Sequence, residues 1–276
     1  MNNSRSQFFD LTMLATFKNL VSISHESLYS ILLKYSLPPE ASTKLRTADL
    51  CNFQINRMCN IVEYLISPDC TLFTEEPKSF DAFELFSEIT KSFSETVSKY
   101  ITIKTECYSK LSKPMPFMVN KMRFELMLLN LFYCCLNASE PDKNHNLKLT
   151  LYVTETKNSL IFHLRDNCKA VNPSIIENVF SKNQTLFTNG NTYEDLVALS
   201  LSAARKASSE MNGKLTYKSL KNGNRYDITV SKDTDINTKL VKAPSKYEPT
   251  TKIYEEIFAY LEFEYQLSLI EKGDFQ

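Results

Sequence analysis

Residues 10–36 read DLTMLATFKNLVSISHESLYSILLKYS. Apolar or small side chains recur here at alternating spacings of three and four residues, at Leu14, Phe17, Val21, Ser24, Leu28, Ile31 and Tyr35. This is the heptad pattern of a long helix that packs against another helix along one stripe. Leu37-Pro38-Pro39 ends the helix, because proline disfavours helical geometry in the residue before it and lacks an N–H donor.

A second apolar stripe follows the prolines and ends before Ser67-Pro68. Its members are Cys51, Ile55, Met58, Val62 and Leu65. Two helices of this kind bury only one stripe each against one another, so a second hairpin is needed to complete a core. The sequence therefore predicts an N-terminal helical hairpin that forms a four-helix bundle as a homodimer.

From about residue 78 the pattern changes to alternating helices and strands. Helices are predicted at 80–99, 121–138, 174–180 and 194–211, and strands at 100–106, 147–153, 160–164, 214–220 and 224–230. Asn222-Gly223 is typical of a type I′ hairpin turn, since both residues tolerate positive φ. We expect a sheet that is covered by helices on one face.

The C-terminal part has no strand pattern. Residues 231–250 are polar and aperiodic and indicate a linker. Residues 252–270 have the aromatic, amphipathic pattern of a helix that either docks on its own domain or meets a partner. The predicted domains are 1–70, 71–232 and 233–276. The fold class is α+β, with a hairpin, an α/β sandwich and a C-terminal amphipathic helix.

Composition excludes several classes of function. The net charge is zero, so no basic field is available for nucleic acid or an anionic membrane. No run of about 18 apolar residues and no signal-peptide pattern occurs, which predicts a cytoplasmic protein without a membrane partner. Seven cysteines without a CxxC pair, beside three histidines, predict no metal site. The chain has only four glycines, which nearly excludes a glycine-rich phosphate-binding loop.

Three local motifs carry a resemblance to a known family over residues 10–230. Phe17-Lys-Asn-Leu-Val-Ser-Ile-Ser-His25-Glu26-Ser-Leu28 resembles the phosphoacceptor box of histidine kinases. Arg123-Phe-Glu-Leu-Met-Leu-Leu-Asn130-Leu131 resembles the start of the helix that carries their metal-binding asparagine. Leu164-Arg165-Asp166-Asn167 is similar to the strand end whose aspartate receives the adenine amino group. The resemblance implies a dimerisation hairpin followed by an ATPase-like domain of the GHKL type.

The resemblance also implies roles for single residues. His25 would accept a phosphoryl group, at the edge of the helical stripe where its ring can reach solvent, and Glu26 would act on the imidazole as the neighbouring acid. The family's proline a few residues further on is replaced here by Ser27-Leu28-Tyr29-Ser30. Asp166 would be a relic of the nucleotide site, as the family's adenine contact.

Several departures lie in the implied nucleotide site. The metal-ligand position is Cys134, a poor ligand for Mg²⁺, or Asn137-Ala138 if the alignment is shifted by three residues. Glycines of the family are replaced by Cys168-Lys169-Ala170 and by Ala198-Leu199-Ser200-Leu201. Side chains at these positions obstruct the close backbone approach that holds phosphates, so we expect neither ATP nor Mg²⁺ as a cofactor.

Three functions remain open at this point. The first is a histidine phosphotransferase, similar to those of phosphorelays, which takes its phosphoryl group at His25 from a response-regulator receiver domain that supplies the Mg²⁺. The second is a non-enzymatic pseudokinase that binds and regulates a response regulator or a kinase. The third is a divergent active histidine kinase, which would have to bind ATP without the glycine turn.

Overall fold

A computed structural model of the chain describes residues 3–66, 76–98, 101–138, 146–180 and 192–232. The chain divides into two compact units, with the boundary between Asp69 and Cys70. The linker and the amphipathic helix predicted at 233–276 lie outside the described residues.

The first unit contains a helical hairpin. Helix α1 (Asn3–Lys34) and helix α2 (Pro39–Ile66) are joined by four residues. Pro39 suits the first position of α2, where no hydrogen bond is required of its missing N–H and its fixed φ matches the helix. Helix α1 ends just before the predicted prolines, because proline disfavours helical geometry in the residue that precedes it.

The side of α1 that is shielded within this unit differs in part from the predicted stripe. Its half-buried positions follow a heptad spacing through Leu14, Lys18, Val21, His25, Leu28 and Leu32. The predicted members Phe17 and Ile31 are exposed by 46% and 37%. The predicted stripe and the shielded side share Leu14, Val21 and Leu28 but differ at neighbouring positions, where the apolar pattern favoured Phe17 over the shielded Lys18. A polar partner on α2 accounts for this difference, since Lys18 pairs with Glu63 over 2.7 Å.

The second unit is an α+β domain with a two-stranded and a five-stranded sheet. Its elements in chain order are β1 (Lys78–Asp81), α3 (Ala82–Val97), β2 (Thr102–Ser109), β3 (Pro116–Val119), α4 (Lys121–Ala138), β4 (Asn146–Glu155), β5 (Ser159–Asp166), α5 (Pro173–Phe180), α6 (Thr192–Glu210), β6 (Lys214–Leu220) and β7 (Gly223–Ser231). The large sheet has the order β2-β4-β5-β7-β6, in which β2 and β4 are parallel and the other pairs antiparallel.

The core of this unit lies between the large sheet and the helices. Alternate residues of β4 and β5, such as Leu151 and Phe162, are fully buried. The Phe162 ring contacts Phe86 of α3 and Phe124 of α4, with centroids 5.3 Å and 5.1 Å apart. Because successive strand residues point to opposite faces, this contact identifies the helix-covered face of the sheet. The predicted one-sided arrangement is therefore confirmed for the described elements.

Some details differ from the predicted elements. The strand pair β1–β3 was not predicted, because four-residue strands are too short to show an alternating pattern. The predicted strand 100–106 lies at Thr102–Ser109, and the predicted helix 80–99 at Ala82–Val97. The β6–β7 turn is formed by Lys221-Asn222, with Leu220 paired to Gly223, so the predicted turn was wrong by one residue.

Candidate functional site

His25 lies on the side of α1 that carries the contacts with α2. Its Nδ1 atom is 2.6 Å from Oδ1 of Asp49. The His25 side chain is 38% exposed and that of Asp49 15%. The pair is therefore a partly shielded hydrogen bond that remains open to solvent at the imidazole.

The hairpin geometry explains why these two residues meet. His25 and Asp49 are equally far along the chain from Leu37 in the connection, so they face one another when the two helices run antiparallel. The adjacent pair Ser24 and Asn52 is joined by a hydrogen bond of 3.0 Å, donated by the Asn52 amide. One turn further along α1, the Tyr29 ring is stacked at 6.0 Å from the imidazole.

This arrangement favours one form of the imidazole. A carboxylate at Nδ1 accepts a hydrogen bond from an N–H at that position, which leaves the lone pair of the neutral ring on Nε2. A carboxylate in this position also stabilises the positive charge that the ring acquires when Nε2 forms a bond. The His25–Asp49 pair can therefore support nucleophilic chemistry at Nε2.

The sequence identified Glu26 as the acid beside His25, whereas the structure brings Asp49 to the imidazole. Glu26 is exposed, and adjacent helix residues do not face one another. A role for Glu26 stays a prediction. Asp49 was missed because no local motif marks it; only the symmetry of the hairpin about its connection could have revealed it.

Asp166 lies at the end of β5, where its carboxylate is buried among donors of the chain itself. Its Oδ1 atom accepts hydrogen bonds from the Cys168 backbone N–H at 2.8 Å and from the backbone and side-chain N–H groups of Asn224 at 3.2 Å and 2.8 Å. Its Oδ2 atom accepts one from the Cys135 thiol at 3.2 Å. Both carboxylate oxygens are thus engaged within the protein.

Close approach of β7 makes this network possible. Gly223 has φ +122°, and a Cβ atom there would lie 1.8 Å from the Asp166 carbonyl oxygen. The neighbouring Asn224 is fully buried, and its side chain also donates to the Lys169 carbonyl and accepts from the Tyr217 hydroxyl. Asn224 therefore fastens the loop after β5 to the β6–β7 hairpin.

Burial sets the protonation of this cluster. It raises the pKa of the Asp166 carboxyl above its ordinary value, against the opposing effect of the hydrogen bonds from Cys168, Asn224 and Cys135. Burial, followed by the nearby Asp166 charge, raises the pKa of the Cys135 thiol well above its usual range. Cys168 is affected in the same way and direction. These thiols remain protonated and unreactive at neutral pH.

The helices beside Asp166 present packed side chains. Cys134 of α4 is fully buried, with its sulfur 3.8 Å from the Val197 carbonyl of α6. Asn130 is almost fully buried, and its amide donates to the Leu126 carbonyl of its own helix at 2.9 Å. The side chain of Asn137, the alternative metal ligand, lies outside the described residues. The stretch that replaces a glycine turn, 198–201, is buried within α6.

The two other histidines have different settings. His163 is nearly buried on β5 and is held by Asp227 at 2.5 Å and by Thr154 at 2.8 Å. His145 lies outside the described residues. Among the residues that are described, no group of three or more His, Cys, Asp or Glu side chains could hold a metal ion.

In the described part of the chain, no helix has both the length and the apolar character needed to cross a membrane. No protein-family model matches the chain, and no curated protein matches its sequence.

Solved structures do resemble it. Full-length ShkA in complex with AMPPNP has a TM-score of 0.59 and 12% sequence identity, over 84% of this chain and 47% of ShkA, so the chain spans about half of that protein. The histidine kinase AdeS of Acinetobacter baumannii has a TM-score of 0.51 and 13% identity, over 77% of this chain and 95% of AdeS.

A third structure is the histidine kinase ThkA in complex with the response regulator protein TrrA. It has a TM-score of 0.51 and 18% identity, over 83% of this chain and 65% of the matched chain. At these identities the likeness concerns the fold. The chain has a histidine kinase-like fold, with an α+β unit of the kind found in the catalytic domains of those proteins.

Proposed function

We propose that the chain is a two-component-type signalling protein that carries phosphoryl groups on His25 without an ATP-dependent kinase activity of its own. It acts as a histidine phosphotransferase with response-regulator receiver domains and works as a homodimer. The observation that carries this proposal is the 2.6 Å contact between His25 Nδ1 and Asp49 Oδ1 at a partly exposed imidazole.

The hydrogen bond between His25 Nδ1 and Asp49 determines which imidazole nitrogen reacts. Nε2 of His25 attacks the phosphorus of an aspartyl phosphate on the receiver domain. An N–P bond forms as the P–O bond to the aspartyl carboxyl group breaks, and the receiver aspartate leaves as a carboxylate. The imidazole keeps its Nδ1 proton and becomes positively charged, and the Asp49 carboxylate stabilises that charge. Transfer in the opposite direction uses the same groups.

The fold supports the choice of partner. ThkA, which shares the fold, is described in complex with a response regulator protein. A receiver domain that brings its own Mg²⁺ would supply the electrostatic stabilisation that phosphoryl transfer requires. The chain then needs only to place the imidazole in line with the acyl phosphate.

The residues around Asp166 fit a nucleotide poorly, which supports a function without ATP. Both Asp166 oxygens already accept hydrogen bonds from Asn224, Cys168 and Cys135, so an adenine amino group would have to displace one of these donors. Buried Cys134 is a poor ligand for Mg²⁺, which prefers oxygen. We therefore propose that the ATP site is lost.

The exposed row of α1 supports the homodimer. Its apolar members follow a heptad spacing and lie beside the row that carries His25, at Met13, Phe17, Leu20 and Ile31. Such a row favours packing against another helix pair, since apolar surface gains about 25 cal/mol for each Å² removed from water. A second copy of the hairpin would give the four-helix bundle that the sequence predicts.

A second candidate function is a non-enzymatic pseudokinase that binds a response regulator or a kinase. The filled surroundings of Asp166 favour it equally, because it needs no chemistry at His25. Incubation of the full chain with a phosphorylated receiver domain distinguishes the two. The phosphotransferase acquires label that is acid-labile and base-stable, whereas the pseudokinase binds the receiver and acquires none.

A further inference from the structure

The face of the large sheet opposite Phe162 has an unusual charge for a chain of zero net charge. We call this the outer face. The strand registers place six basic and two acidic side chains on it, namely Lys104, Lys148, Arg165, Lys214, Lys218, Arg225, Glu106 and Asp227. An exposed antiparallel face is normally polar with mixed charges, so an excess of one sign needs a further explanation.

Both acidic groups of the outer face are already paired. Glu106 lies 3.0 Å from Lys104, and Asp227 lies 2.7 Å from Arg225. Within the described residues, Lys148, Arg165 and Lys218 have no carboxylate within salt-bridge distance. Lys214 likewise has no salt bridge to a described residue, so four cations on this sheet face remain without a counter-charge from the described part of the protein.

An aromatic ladder runs across the same face. The rings of Tyr108, Tyr152 and His163 occupy matching positions on the neighbouring strands β2, β4 and β5. Tyr108 is stacked on Tyr152 at 5.1 Å with an interplanar angle of 4°, and Tyr152 on His163 at 4.3 Å and 22°. Asp227 and Thr154 hold the imidazole from both nitrogens, at 2.5 Å and 2.8 Å. The ladder is thus ordered before any ligand arrives, which lowers the entropic cost of binding.

Two cations border this ladder. The guanidinium carbon of Arg165 lies 5.4 Å and Nζ of Lys110 lies 4.9 Å from the Tyr152 ring centroid. Nε of Arg165 is buried and has no hydrogen-bond partner. Tyr108, at the end of the ladder, is 39% exposed. The face therefore combines a fixed aromatic surface with cations that can still bind an anionic partner.

We propose that the outer face binds an acidic segment of a partner protein, with Asp or Glu carboxylates on Arg165, Lys110 and Lys218 and an apolar or aromatic side chain against Tyr108. This surface belongs to the second unit, and the proposal does not depend on phosphotransfer at His25.

The stacking favours a protein carboxylate over a nucleic acid. Both faces of Tyr152 are covered by neighbouring rings, so within the described ladder only the end ring, Tyr108, has a face left for a base, whereas single-strand binding stacks successive bases on several rings. A ladder of this kind presents ring edges, which carry the positive part of the aromatic quadrupole and suit carboxylates. Charge complementarity thus identifies the occupant as an acidic polypeptide.

The test uses the full chain and a fluorescein-labelled copolymer of glutamate and tyrosine, with binding followed by fluorescence anisotropy. A single-stranded oligonucleotide of matched charge is the second probe. The parent protein binds the copolymer in a salt-dependent manner and more tightly than the oligonucleotide. Absence of copolymer binding, or tighter binding of the oligonucleotide, overturns the proposal.

Variants locate the surface. Lys110→Glu with Lys218→Glu changes two exposed lysines that the proposal assigns to carboxylates of the partner, and weakens copolymer binding about tenfold or more, since two favourable charge contacts become repulsive. Lys91→Glu with Lys113→Glu makes the same charge change at exposed positions outside this face and changes binding less than about twofold. Tyr108→Thr keeps every charge and weakens binding of the copolymer but not of polyglutamate. Equal losses in the two lysine pairs contradict the assignment to this face.

Discussion

The side-chain amide of Asn224 donates a hydrogen bond of 2.8 Å to Oδ1 of Asp166, and thereby joins the start of β7 to the end of β5. The same Oδ1 atom accepts from the Cys168 backbone, and Oδ2 accepts from the Cys135 thiol. The carboxylate to which the sequence resemblance assigns the adenine contact thus accepts hydrogen bonds from within the protein. Two predictions depend on this network.

The first prediction concerns nucleotide binding. ATP with Mg²⁺ should show no saturable binding below about 1 mM by titration calorimetry, because adenine would have to replace hydrogen bonds that Asp166 already accepts. Micromolar affinity would contradict the proposed loss of the ATP site and would favour an active kinase. If weak nucleotide binding is seen, Asp166→Asn should not change its affinity, because the nucleotide would then bind away from Asp166.

The second prediction concerns the pH dependence of stability. Because burial raises the pKa of Asp166, the folded state holds this proton more tightly than the unfolded state. The stability that this group contributes is fully present below its unfolded pKa of about 3.9 and is lost as the pH rises through the raised folded value.

Asp166→Asn tests that sign, since it keeps a carbonyl oxygen for the Asn224 and Cys168 donors and cannot ionise. Urea unfolding between pH 4 and pH 7 should show the variant gaining free energy of unfolding relative to the parent as the pH rises. A difference that is constant, or that changes in the opposite direction, would show that the raised pKa is not a feature of the folded protein.

The third prediction concerns oligomeric state. The protein should be a homodimer by light scattering, with the exposed row of α1 in the interface. Phe17→Glu with Leu20→Glu should give a monomer that keeps its helical content, because these side chains are exposed on α1 in the described hairpin. Ala15→Glu is the matched control, since Ala15 is exposed and two residues from Phe17, hence on the opposite side of the helix. A monomeric parent protein would exclude the four-helix bundle.

Several elements could be predicted from sequence because their signals are local. Helix α4 has the predicted bounds 121–138, since a long apolar run with no proline or glycine has few alternatives. Strand β6 also has its predicted bounds, 214–220. The short pair β1 and β3 escaped prediction because each strand owes its existence to pairing with the other, a contact between distant parts of the chain.

The candidate site could be predicted only in part for the same reason. His25 is marked by a local motif, whereas Asp49 is brought to it by the register of the hairpin. The role of Asn224 depends on the close approach of Gly223 to the Asp166 backbone, which no sequence pattern specifies. Contacts between distant segments produce no periodic pattern in the sequence, so they are identified only from the folded structure.

The fourth prediction separates the two acids near His25. Asp49→Asn should slow phosphoryl transfer from a receiver domain by about tenfold or more, because the neutral amide no longer stabilises a charged imidazole. Glu26→Gln should have a smaller effect, since Glu26 is exposed and does not face the ring within its own helix. Single-turnover rates at saturating receiver measure both. A larger loss in Glu26→Gln would restore the assignment made from sequence and remove the role of Asp49.

The central claim is that His25 itself carries the phosphoryl group. The most direct measurement is the transfer of radiolabelled phosphate from a panel of phosphorylated receiver domains to the full chain. His25→Ala and His145→Ala are assayed beside the parent, and the circular dichroism melting temperature serves as the check on folding. We predict acid-labile, base-stable label on the parent and on His145→Ala, and none on a folded His25→Ala variant. Label on His25→Ala equal to that on the parent, or no label on the parent from any receiver, would contradict the account.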